Sequence, residues 1–96
     1  MPRSLIERRL RQVAGRLQEL RRELEVSGEQ LLHLADEAED ARLRALISET
    51  PTSDHERRNA ERHADAMRQH RAVVSAEIAR LEQQQDELLD RLQAER

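Results

Sequence analysis

Three side chains in the second half of the chain stand at a spacing that could hold a transition metal. His63, Met67 and His70 fall at i, i+4 and i+7 of one helical face, with His55 eight residues earlier. Imidazole and thioether donors suit such ions. A protein-held ion needs three or four convergent donors, however, and the two histidines are two turns apart, about 10.5 Å along a helix axis. Met67 also falls on an apolar seam, so the sequence predicts no metal site. His55-Glu56 opens like H-E-x-x-H, but the fifth residue is Asn59 and the zinc-protease pattern fails. Without Cys the chain has no thiolate nucleophile, no Cys-based zinc site and no disulfide. Ser, His and Asp are all present, yet the architecture derived below offers no concave, water-excluding pocket for a triad. The expectation is a non-enzyme without cofactor.

Two charged groups could do other chemistry. Residues 1–22 hold seven Arg against Glu7 and Glu19, a cation density that suits phosphate. No aromatic residue is available to stack a base, the net charge is −3, and Glu82, Asp86, Glu87 and Asp90 can neutralise those arginines from the far end of the chain. The sequence therefore argues against nucleic acid as a partner. Glu49, Asp54 and Glu56 form an acidic group around the middle of the chain. Capping chemistry accounts for Asp54 and Glu56 as well as any ligand would.

The elements that position these groups come from apolar periodicity. Ile6, Leu10, Val13, Leu17, Leu20, Leu24, Ser27, Leu31, Leu34, Ala38, Ala41 and Ala45 follow one another in alternating steps of 4 and 3. That is a heptad repeat, with Leu10, Leu17, Leu24 and Leu31 at position a. A second run, from Ala60 through Met67, Val74, Ile78, Leu81 and Leu88 to Leu92, keeps the same alternation and is broken by Arg71 and Gln85. Ser27, Arg71 and Gln85 are thus polar residues in the seam. Pro51 disfavours helix at Thr50, and Ser53-Asp54-His55-Glu56 fits an S-x-x-E capping box. The reading is an all-α antiparallel two-helix coiled-coil hairpin: helix 1 over about 4–48, a tip at 49–53, helix 2 over about 54–94.

Register follows from pairing a residues with d residues. A tip centred near Thr52 pairs residues whose numbers sum to 105, giving Leu17–Leu88, Leu24–Leu81 and Ala41–Ala64. The flanks then match as Arg21–Glu82 and Arg42–Glu61, with Glu37 near His70, Gly28 near Ser75, and Arg71 facing Leu34, its guanidinium reaching outward to water or carboxylates, of which Asp36 and Glu37 are the nearest by position. Sliding one heptad towards the N-terminus puts Glu23 against Glu77, which disfavours it. Charge blocks agree with an antiparallel fold. Residues 1–22 carry net +5 and lie by 81–96 at −3, while 23–56 at −8 lie by 57–80 at +3.

Leu32, Leu43, Leu46 and Ile47, with Val26 and Val73, lie at b, c and f positions outside the seam. A lone hairpin leaves them in water. Leu43, Leu46 and Ile47 cluster within two turns, which points to burial against a second chain, most simply a homodimer forming a four-helix bundle.

The stretches PRSLIERRL, ARLRALISETP, ERRNAERHADAMRQHR and QDELLDRL, which cover most of the chain, resemble short coiled-coil proteins of actinobacteria. That likeness implies a helical hairpin and brings no activity with it. The acidic tip resembles the N-terminal hairpin of Gre-type transcription factors, which place such a tip in RNA polymerase to help hold a catalytic Mg²⁺. The likeness covers the hairpin alone, and Thr50-Pro51-Thr52-Ser53 departs from that family's tip motif. A similarity to anti-sigma hairpins that bind a cyclic dinucleotide stops at Glu23 and Ser27, because Gln30 stands where an Arg belongs. All 17 basic residues are Arg, which reads as the codon usage of a GC-rich genome. With no apolar run of membrane-spanning length, the expected location is the cytoplasm. The expected function is that of an oligomerising scaffold or adaptor. The alternative is a transcription regulator that docks its hairpin or tip on RNA polymerase or a sigma factor.

Overall fold

A computed structural model describes residues 2–95 as two packed helices, an all-α hairpin: α1 (Arg3–Ser48) and α2 (Pro51–Ala94), joined by Glu49 and Thr50. The reversal is tighter than the sequence suggests, and capping chemistry explains why. Glu49 takes a left-handed backbone at φ 51° and its N–H still donates to the Ala45 carbonyl at 3.0 Å, closing α1. Thr50 then caps α2. Its Oγ1 accepts from the Ser53 N–H at 3.1 Å, and the Thr50 N–H donates to Ser53 Oγ at 3.2 Å. This reciprocal pair does the work of a capping box, with Pro51 at the first helical position, where its missing N–H costs nothing. The box expected at Ser53 and Glu56 is therefore three residues too late, and α2 begins at Pro51 instead of 54.

Contacts divide the hairpin into two units. The terminal unit comprises the described residues up to Leu24 and from Val73 onwards. Its core is Ile6, Val13, Leu17, Leu20, Val74, Leu81 and Leu88, all buried, with Leu10, Leu24, Ile78 and Leu92 packed against them. The tip unit spans Glu25–Ala72. Its buried residues are small: Ser27, Ala41, Ser53 and Ala64. The larger seam residues of this unit, Leu31, Leu34 and Met67, are only half-buried.

Register departs from the sequence expectation by one heptad. In the terminal unit Arg21 Nη2 meets Glu82 Oε2 at 3.3 Å and Arg16 Nε lies 3.6 Å from Glu77 Oε1. The residue numbers of these pairs sum to 103 and 93, straddling 98. In the tip unit the Arg71 guanidinium lies over Gly28, a pair summing to 99; a Cβ at Gly28 would stand 3.3 Å from Arg71 Nη2. Ser48 and Pro51, either side of the turn, also sum to 99. The two-residue link sets this centre, since the reversal falls between Glu49 and Thr50 and not at Thr52. Glu77, whose proximity to Glu23 disfavoured the slide, is held between Arg16 and Arg80, the latter at 3.9 Å. Arg21–Glu82 is a match that both registers share, as is Arg42 near Glu61, whose charge helps to raise the Arg42 proton affinity, because long side chains span either offset.

Candidate interaction surface

The seam positions of α1 are spent on α2, so any surface for a partner must come from the remaining faces. Leu32, Leu43, Leu46 and Ile47 are 71%, 45%, 62% and 84% exposed on the α1 side of the tip unit. Each is a full-sized apolar side chain on a regular helix, held in water by the helix's own geometry. Val26 and Val73 are exposed as well. Beside this face an open apolar groove of about 550 Å³ runs over Leu34 and Met67, edged by Glu29, Gln30 and His33. Sequence reading assigned Leu34 and Met67 to a closed seam and missed the groove. Its signal was the change from Leu to Ala along the seam, which leaves the last large residues without large neighbours.

The polar seam residues fare differently from one another. Ser27 is buried, while Arg71 and Gln85 are half-buried. Arg71 does not reach Asp36 and Glu37 as expected. It crosses α1 at Gly28, and its buried Nε finds no hydrogen-bond partner. Gly28 is what lets the guanidinium lie there, so a residue that looks like a weak point in α1 is the floor of this crossing. On its own helix Glu37 has a basic neighbour, with His33 Nε2 at 3.0 Å from its Oε1.

The acidic tip is largely answered by its own helix. Asp54 Oδ1 accepts from Arg57 Nη2 at 2.8 Å, and Asp54 Oδ2 lies 3.4 Å from Arg58 Nε. The Arg57 hydrogen bond, aided by the charges of Arg57, Arg58 and His55, holds the Asp54 carboxyl below its ordinary value. Arg57 also donates to Glu61 Oε2 at 3.0 Å, and these bonds raise its own affinity for the proton. Glu39 is depressed in the same way by hydrogen bonds from Arg42, the shorter at 2.6 Å. Glu49 and Glu56 are exposed on the tip and do not converge with Asp54 on a common point in the manner of a metal site. Among the described residues no group of three or more His, Asp or Glu is placed to hold a metal ion, and no described helix is long and apolar enough to cross a membrane.

No protein-family model, curated protein or solved structure matches this chain. The surface must be read from its own chemistry.

Proposed function

We propose that this chain is a non-catalytic scaffold that works through protein–protein contacts, with self-association as its first step. The observation that carries the reading is the exposed apolar group Leu32, Leu43, Leu46 and Ile47 on α1. Single exposed leucines need no explanation, but a cluster on one helix face is what a partner covers. Burying one such side chain is worth about 1.5–3 kcal/mol, so four supply a substantial part of a micromolar contact, which needs about 8 kcal/mol. Docking of the acidic tip on the transcription machinery has less support, because Arg57 and Arg58 already compensate Asp54.

Sedimentation velocity tests the reading. The expected result is a dimer at micromolar concentration that Leu46→Glu with Ile47→Glu weakens, while circular dichroism shows the helices intact. A wild-type chain that stays monomeric at hundreds of micromolar would overturn the self-association step.

A further inference from the structure

We infer that copies of this chain stack through their tip units, the outer face of α1 in one copy lying on the outer face of α2 in the next, with the tips level and pointing the same way. This rests on the self-association proposed above and names its interface. Both faces belong to Glu25–Ala72, within which α1 and α2 pack on one another.

Three observations select a second copy as the occupant. The first is charge. The b, c and f positions of α1 over residues 25–47 carry the acids Glu25, Glu29, Asp36, Glu39 and Asp40 and no Arg. The outward positions of α2 over residues 51–72 carry Arg58 and Arg62, with Asp65 as their one acid. All of these are exposed. A second α1 face laid on the first would set acid against acid, whereas an α2 face answers it.

The second is which charges the chain leaves over. Glu39 and Asp65 are held by Arg42 and Arg68 of their own helices. Among the described residues no ion pair holds Glu29, Asp36, Asp40 or Arg62, and Arg58 has Asp54 alone, at 3.4 Å.

The third is register. Copies with level tips face each other at the residue sum that the turn imposes within one chain, about 98 to 99, as at Gly28–Arg71 and Ser48–Pro51. At that sum Asp36 meets Arg62 of the second copy, Asp40 meets Arg58, and Glu29 meets Gln69. Leu32 falls on Ala66, where the small side chain leaves room for it as a hole does for a knob. Leu43 falls on His55, Leu46 on Thr52 and Ile47 on the ring of Pro51, so the whole exposed apolar group of α1 is covered. A slide of one heptad to a sum of 105 would set Asp40 against Asp65. A slide the other way, to 91, would carry Leu43, Leu46 and Ile47 past the start of α2. The contact is heterologous, so a pair keeps one open α1 face and one open α2 face, and further copies add to it. The dimer is the first step of the stack.

Blocking the two faces one at a time tests the arrangement. D36R/D40R sets cations against Arg58 and Arg62 and closes the α1 face. A66E sets a long acid against Leu32 and Asp36 and closes the α2 face. Each should weaken self-association about tenfold or more, with helicity retained by circular dichroism. An equimolar mixture keeps one sound face of each kind and should sediment as a 1:1 heterodimer that does not grow, whereas the wild type should pass beyond the dimer as concentration rises. The chain has no native Cys, so L32C chains mixed with A66C chains should give a disulfide-linked heterodimer under mild oxidation that neither variant alone matches. A dimer indifferent to D36R/D40R and A66E, or L32C chains that link to one another as readily as to A66C, would overturn the interface. If such a dimer is still broken by Leu46→Glu with Ile47→Glu, the scaffold reading survives without this stack. If the wild type is monomeric, both fall.

Discussion

The terminal unit and the tip unit are built from the same heptad pattern and hold together differently. In the terminal unit the seam is filled by Ile6, Val13, Leu17, Leu20, Val74, Leu81 and Leu88. In the tip unit the fully buried positions are Ala41 and Ala64, with the polar Ser27 and Ser53. A buried leucine removes several methyl and methylene groups from water, an alanine only one, at about 0.8 kcal/mol per group. The terminal unit is therefore the stable end. The tip unit relies more on hydrogen-bonded caps and short-range ion pairs, and it is also where Leu32, Leu43, Leu46 and Ile47 stay outside. Apolar side chains withheld from the seam are free to meet a partner without loss of the fold, as the proposed scaffold role requires.

The largest test of this contrast is truncation. Leu17→Ala, in the buried seam, should cost about 3 kcal/mol, whereas Met67→Ala, in the open groove, should cost about 1 kcal/mol. Urea denaturation measures both. Native-state hydrogen exchange should likewise show faster amide exchange in Glu25–Ala72 than in the described residues outside it. Equal costs and uniform exchange would break the comparison.

A smaller effect comes from the Arg71 crossing. Its buried Nε is unpaired, and leaving such a group unsatisfied costs about 1–3 kcal/mol. Arg71→Leu should therefore raise stability by about 1 kcal/mol. Gly28→Ala alone should gain little, since the new Cβ would crowd the guanidinium, whereas Gly28→Ala with Arg71→Leu should gain more than the two singles together. Thermal unfolding of the three variants separates these outcomes. Additivity would mean that Arg71 does not need the glycine.

The smallest effect is acid sensitivity. Asp54 and Glu39, both in the tip unit, have folded-state proton affinities below their ordinary values of 3.8 and 4.5. The unfolded chain then binds protons first, so their contribution is present above those values and is lost as pH falls through them. Both carboxylates are exposed, and the slope should be shallow and further flattened by salt. Neutralising them together as Asp54→Asn with Glu39→Gln should reduce the loss of stability between pH 5 and about pH 3. An unchanged slope would assign that loss to other carboxylates.

The sequence by itself determined the secondary structure, the antiparallel hairpin and the seam, because alternating steps of 3 and 4 allow only one face to be apolar over so many turns. It also identified the exposed leucines, since b and f positions cannot reach α2. It did not determine the register. A shift of one whole heptad leaves every a and d residue in the seam, so the hydrophobic pattern is blind to it, and long Arg and Glu side chains satisfy either alignment. Tertiary structure decided it at the turn, where Thr50 and Ser53 cap each other and Pro51 starts α2 three residues early. The same shift took Arg71 away from Asp36 and Glu37 and laid it on Gly28. The groove over Leu34 and Met67 belongs to the same class of fact: heptad position says that a side chain faces the seam, but only the size of its neighbours in the folded chain decides whether the seam closes over it.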